Sequence, residues 1–155
     1  MKKNSLTLKN LVSLTQKEVE DNIHEQDIST YITFLTKAGK YYEENKVIRV
    51  FNSTSKILGL YFLMQSFYSK ALITKTDFAK SMSLLSRDGA LKFINSLITM
   101  KLVSIYKTDS DARKQYVIPE KILIEEFNNH MKKRLAKAHM DLVKIQENIL
   151  KRVKS

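Results

Sequence analysis

Apolar positions in this chain recur mostly three and four residues apart, the spacing that gathers side chains on one face of a helix. Leu8, Leu11, Val12, Val19 and Ile23 predict a loose first helix. A clearer one runs from Asp27 to Glu44, where Ile28, Tyr31, Ile32, Leu35, Ala38 and Tyr42 keep the rhythm and Asp27 stands as N-cap. Val47 to Phe51 is short, apolar and β-prone, and is either extended or a lead into the next helix. Asn52 and Ser53 offer a cap for SKILGLYFLMQSFYSK, in which Ile57, Leu60, Tyr61, Leu63, Met64, Phe67 and Tyr68 are apolar on more than one face. A helix apolar nearly all round is a buried helix, so this segment is expected at the centre of the core.

Ile73 to Thr76 interrupts the pattern and supplies Thr74 or Thr76 as the next cap. Phe78, Ala79, Met82 and Leu85 then mark a short helix, and Ser86 caps another from Arg87 to Lys101, with Ala90, Phe93, Ile94, Leu97 and Met100 inward. LVSIYKT and QYVIP are two β-prone runs joined by the polar DSDARK, which predicts a hairpin ended by Pro119. From Glu120 onward a single long helix is expected, with Ile124, Phe127 and Met131 leading into Leu135, Ala138, Leu142, Ile145 and Ile149. That second stripe has a heptad-like rhythm and is too long for a small domain to cover, so a partner helix is the simplest way to bury it.

The order helix, short helix, turn, helix, hairpin predicts a mainly α protein with a small β-hairpin wing. It is the plan of a winged helix-turn-helix with long N- and C-terminal dimerisation helices. Three segments follow: N-terminal helices over 1–52, a DNA-binding core over 53–119, and a dimerisation helix over 120–155.

Composition narrows the function. The chain has 155 residues, three Gly and one Pro, which leaves little room for an all-β fold with many tight turns. Its formal net charge is +11, from 27 Lys and Arg against 16 Asp and Glu, and such an excess attracts polyanions, nucleic acid first among them. No Cys is present, which excludes disulfides, thiolate metal sites and cysteine nucleophiles. The N-terminal MKKNSLTLKN lacks the apolar run of a signal peptide, and no stretch is long enough to span a bilayer. A cytoplasmic, nucleoid-associated location is therefore expected, with no membrane partner.

The helix from Arg87 has a length suited to the major groove, and the preceding helix would cross the backbone to support it. On its outward face stand Arg87, Asp88, Leu91, Lys92, Asn95 and Thr99. Arginine and lysine can pair with guanine, and asparagine with adenine; the bland alternative is a solvated helix face. Asp88 either serves the positive end of the helix or accepts from cytosine. Lys75, Thr76 and Lys80, around the supporting helix, and the capping Ser86 join the expected DNA contacts, together with Lys114 at the wing tip. Arg113 is either a minor-groove probe or a partner of Asp109 or Asp111 that shapes the turn. The basic cluster Lys132, Lys133, Arg134 and Lys137 reads as a solvated face. Glu126 and His130 are four apart, but with no tight His cluster no metal site and no cofactor are expected. No Ser-His-Asp arrangement or Gly-rich phosphate loop is present, so no enzyme is expected. Tyr31, Tyr41, Tyr42, Tyr61, Phe62, Phe67 and Tyr68 read as core, with an effector pocket as the alternative.

SRDGALKFINSLITMKLV followed by DSDARKQYVIPE resembles the recognition helix and wing of the MarR family of bacterial regulators. Ser86, Leu97, Leu102 and Val103 match the helix and its end, and Asp111 and Arg113 match the Asp-x-Arg signature of the wing. Lys101 stands where that family usually has Gly, and Pro119-Glu120 where it usually has Leu-Thr. The resemblance spans roughly Ser53 to Glu120. It implies a homodimer held by helices from both chain ends, bound to a pseudo-palindromic duplex, with a small-molecule effector that changes the spacing of the wings. Two other readings share the apparatus: a plasmid or phage replication or partition protein, and a winged helix used to dock a protein partner.

Overall fold

The computed structural model describes residues 13–155, so Leu8, Leu11 and Val12 of the first expected helix lie outside the described residues. Two compact units are present, Glu43–His130 and a second made of the residues up to Tyr42 with Met131–Ser155. The boundary between them falls inside the expected 1–52 and 120–155 segments rather than at their ends.

In the second unit, α1 (Gln16–Asp21) starts at a capping box in which the Thr15 hydroxyl accepts the Glu18 N–H and the Glu18 carboxylate accepts the Thr15 N–H. α2 (Glu25–Glu44) follows, and the chain returns in the distal part of α6 (Lys121–Lys154). Asp27 is not the N-cap of α2. The helix begins two residues earlier, and the carboxylate sits buried in the first turn. There it accepts the His24 N–H at 2.9 Å, the Asn148 amide at 3.4 Å and the Arg152 guanidinium. Arg152 also donates to the Asn22 carbonyl at 2.8 Å. Burial alone would push the Asp27 carboxyl up, but the bonds from Arg152, His24 and Asn148 outweigh it and hold the group below its ordinary value. A second pair, Lys137 Nζ to Asp141 Oδ1 at 2.9 Å, has its carboxylate buried.

α2 also turns differently from the expected stripe. Phe34 and Ala38 are buried, whereas Ile28, Tyr31, Ile32 and Leu35 are exposed. On α6 the expected stripe divides. Leu135 and Leu142 are exposed, Ala138 and Ile145 are half-buried, and Ile149 is buried beside Leu150 within its own chain.

The larger unit opens with a 3₁₀ turn at Ile48–Val50, so Val47 to Phe51 is neither strand nor helix start. The Asn45 side chain shapes the turn by accepting from the Val47 and Ile48 amides, and its own amide donates to Glu126 at 3.1 Å. α3 (Thr54–Tyr68) is capped by Ser53. Gly59, Leu60, Leu63 and Met64 are buried on it, but Leu58, Phe62, Phe67 and Tyr68 are exposed, so α3 buries one face rather than all of its surface. Gly59 is where α3 meets the next helix, α4 (Lys75–Ser81): a Cβ there would lie 2.6 Å from Met82 Cγ and 3.3 Å from the Phe78 ring.

α5 (Arg87–Thr99) and the strands complete the unit. β2 (Val103–Thr108) and β3 (Asp111–Pro119) form the expected hairpin, with Val103 opposite Pro119 and Thr108 opposite Asp111. A third strand was not foreseen: β1 (Ile73–Thr74) pairs antiparallel with β3, Ile73 opposite Val117, giving the order β1-β3-β2. Phe51, Leu60, Leu63, Phe78, Met82, Ile94, Leu97, Val103 and Leu123 fill the core, and the Phe51 and Phe93 rings meet edge to face at 5.5 Å. Among the described residues no helix is long and apolar enough to cross a membrane.

Both α3 and α5 end on the same device. The Ala71 N–H bonds the Ser66 carbonyl and the Lys70 N–H that of Phe67; likewise Leu102 bonds Leu97 and Lys101 bonds Ile98. These are Schellman motifs, which need a left-handed residue just past the helix. Lys70 and Lys101 supply it, at φ of 55° and 57°. At Lys101 the chain thus keeps the backbone that a glycine would take, without the glycine.

Candidate nucleic-acid interface

Capping sets the start of both helices of the helix-turn-helix. At α4 the Thr74 hydroxyl accepts the Asp77 N–H at 3.0 Å while the Asp77 carboxylate accepts the Thr74 N–H. At α5 the Ser86 hydroxyl accepts the Gly89 N–H at 3.0 Å. The turn between them is tied inward: Ser55, buried on α3, accepts the Leu84 N–H at 3.0 Å. α4 is shorter than its apolar pattern, since it stops at Ser81 and Leu85 lies in the turn.

With α5 fixed, its two faces separate cleanly. Ala90, Phe93, Ile94 and Leu97 are buried, and Arg87, Asp88, Lys92, Asn95 and Thr99 are exposed on the opposite side. Asp88 lies in the first turn, where a carboxylate favours the helix dipole. On α4, Thr76 and Lys80 are exposed and Lys75 is half-buried. Lys80 and Arg87 line one cleft of about 580 Å³ between α4 and α5, with Thr76, Ser83 and Leu91. Two cations on a cleft beside an exposed helix can hold an anionic backbone.

The wing tip is a tight turn at Asp109 and Ser110, next to a register shift between Lys107 and Thr108. Asp111 shapes it, but through the backbone: its carboxylate accepts the Arg113 N–H at 3.1 Å. Of the two readings of Arg113, no ion pair to Asp109 or Asp111 forms among the described residues, and Arg113 is exposed beside the exposed Lys114. Lys107 on β2 is also exposed and was missed by the sequence reading. The strand pattern carried a signal for it, because Lys107 faces Gln115 across the hairpin, within one residue of Lys114.

One link between the expected contacts was also missed. Lys75 Nζ donates to Asn95 Oδ1 at 2.9 Å, joining the start of α4 to the outward face of α5. Elsewhere, Glu126 is engaged by Asn45 and His130 is buried, and among the described residues no group of three metal-ligating side chains comes together. Among the described clefts none is lined by more than one of the aromatic residues. Phe67 lines a shallow cleft of about 220 Å³ with Leu63, Leu72, Ile73 and Val117, while the Tyr61 ring meets Phe127 edge on.

No family profile matches the chain, and no curated protein is significantly similar to it. Solved structures to which the chain is similar include the adhesin competence repressor AdcR from Streptococcus pyogenes, at 20% identity and a TM-score of 0.48 over 85% of this chain and 90% of that one. The heme sensor protein PefR from Streptococcus agalactiae, solved with heme, is 13% identical with a TM-score of 0.48 over 99% and 90%. A mutant MepR from a multidrug-resistant S. aureus clinical isolate is 15% identical with a TM-score of 0.49 over 85% and 96%. What defines this chain as a winged helix-turn-helix is its own order of elements, α3, β1, α4, α5 and the β2-β3 hairpin, with the register and contacts given above.

Proposed function

We propose that the protein is a sequence-specific double-stranded DNA-binding transcriptional regulator that acts as a homodimer, in the manner of the MarR family it resembles. The observation that carries this reading is the outward face of α5, where Arg87, Lys92 and Asn95 stand opposite a fully buried stripe, beside a wing bearing Arg113 and Lys114. The helix enters the major groove, Arg87 and Lys92 donate to guanine or phosphate, and the wing follows the backbone to the adjacent minor groove. Lys80 and Thr76 contact phosphates, which set register without reading sequence. The homodimer is supported by apolar side chains left open on one unit: Leu135 and Leu142 of α6, and Ile28, Tyr31, Ile32 and Leu35 of α2. A second copy covers them and presents the second recognition helix about one DNA turn away. A small-molecule effector fits the same reading as a ligand that alters the spacing of the two wings.

Fluorescence anisotropy with an AT-rich duplex over a salt series, alongside sedimentation of the free protein, tests both parts. Tight binding that falls steeply with salt, by a dimer, is expected. Absence of binding at low salt sinks the DNA reading and turns attention to the open apolar faces as a docking surface for another protein.

A further inference from the structure

Asn95 is exposed in the third turn of the recognition helix, yet its amide is not free to choose its orientation. Lys75 Nζ lies 2.9 Å from Oδ1. An ammonium group only donates, so the near atom of the amide must be its oxygen, and the nitrogen is left facing away. Lys75 is the first residue of α4, is half-buried, and has no carboxylate partner among the described ion pairs.

This changes what the position can read. A lone asparagine recognises adenine by two bonds, accepting from the N6 amino group and donating to N7. Here one of the two lone pairs of the accepting atom already holds an ammonium, and an adenine amino group taking the other would bring its protons beside that cation. What the pair offers outward is mostly donors: the two amide protons of Asn95 and the remaining protons of Lys75, against one lone pair of Oδ1. In the major groove the base edge with two acceptors side by side is guanine, at O6 and N7. We propose that Lys75 is a positioning residue that biases Asn95 toward guanine over adenine. The assignment rests on the DNA-binding reading above and extends it to base preference at one step of the site.

Selection from randomised duplexes, with the bound pool sequenced, tests this on the whole protein. Wild type and Lys75→Arg, which keeps a cationic donor, are expected to prefer guanine at one position in each half-site. Lys75→Met is expected to shift that position toward adenine by roughly tenfold. Asn95→Ala should lose the preference there and keep it elsewhere. Lys75→Ala is the second neutral variant should Lys75→Met lose its helical circular dichroism. If the neutral variants instead weaken binding evenly on all sequences and lower the salt slope by about one, Lys75 is a phosphate contact and the proposal fails. It fails equally if they keep the guanine preference. Wild type that binds no duplex overturns the DNA reading itself, a result distinct from either.

Discussion

Lys101 holds a backbone conformation that costs a side-chain-bearing residue about 1–2 kcal/mol. Glycine would avoid that cost but lose more freedom on folding, about 0.5–1 kcal/mol. Lys101→Gly is therefore expected to stabilise the fold by about 0.5–1 kcal/mol, seen as a higher urea midpoint at unchanged slope. Gly59 has the opposite character. Its missing Cβ leaves room for Met82 and Phe78, which are both fully buried. Gly59→Ala should cost about 1–3 kcal/mol by overpacking, although alanine is the better helix former. Asp27 gives a test by pH. Its folded carboxyl lies below the unfolded value, so it adds stability above about pH 4 that is lost as pH falls through the folded value. Arg152→Leu removes two of the influences that lower it and leaves the His24 and Asn148 bonds against burial, so the folded carboxyl rises from its wild-type value. In that variant acid should remove less stability, and the pH slope of unfolding below about pH 4 should flatten. An unchanged slope would mean that Arg152 does not control Asp27.

At the scale of elements, what could be read from the chain followed from local chemistry. Ser86 and Thr74 are caps because their hydroxyls reach amides three residues on, a bond that depends only on neighbours. The hairpin and the long helix were legible for the same reason. Asp27 looked like a cap because aspartate favours helix starts. Its true role depends on Arg152, at the far end of the chain, which no local pattern can reveal. β1 has two residues, too few for an alternation to register. Periodicity also located the α2 stripe of Ile28, Tyr31, Ile32 and Leu35 without telling whether it faces the chain's own core or another surface. Ser86→Ala removes a cap whose helix carries the outward basic face. It should cost about 1 kcal/mol in unfolding experiments.

For the whole molecule, the proposed regulator role has the +11 charge and the open apolar faces make separable contributions to binding. Arg87→Ala or Lys92→Ala should weaken DNA binding without changing the sedimenting species. If the side chain contacts phosphate, the salt slope drops by about one. Leu142→Lys should do the reverse, driving the free protein toward monomer and weakening binding through loss of the second half-site contact. The residues proposed as contacts on α4, α5 and the wing were chosen as types in a pattern. The Lys75–Asn95 bond was not legible in that pattern, because it joins residues that only the turn between the helices brings together.

The buried Ser55 hydroxyl has a consequence for solvent exchange. Leu84 is 80% exposed, yet its amide proton is held by an oxygen that water does not reach. That amide should exchange with deuterium far more slowly than its neighbour at Ser83, and only when the turn lifts away from α3. One resonance on the surface thus acts as a clock for how often the helix-turn-helix opens, and Ser55→Ala should make it run fast.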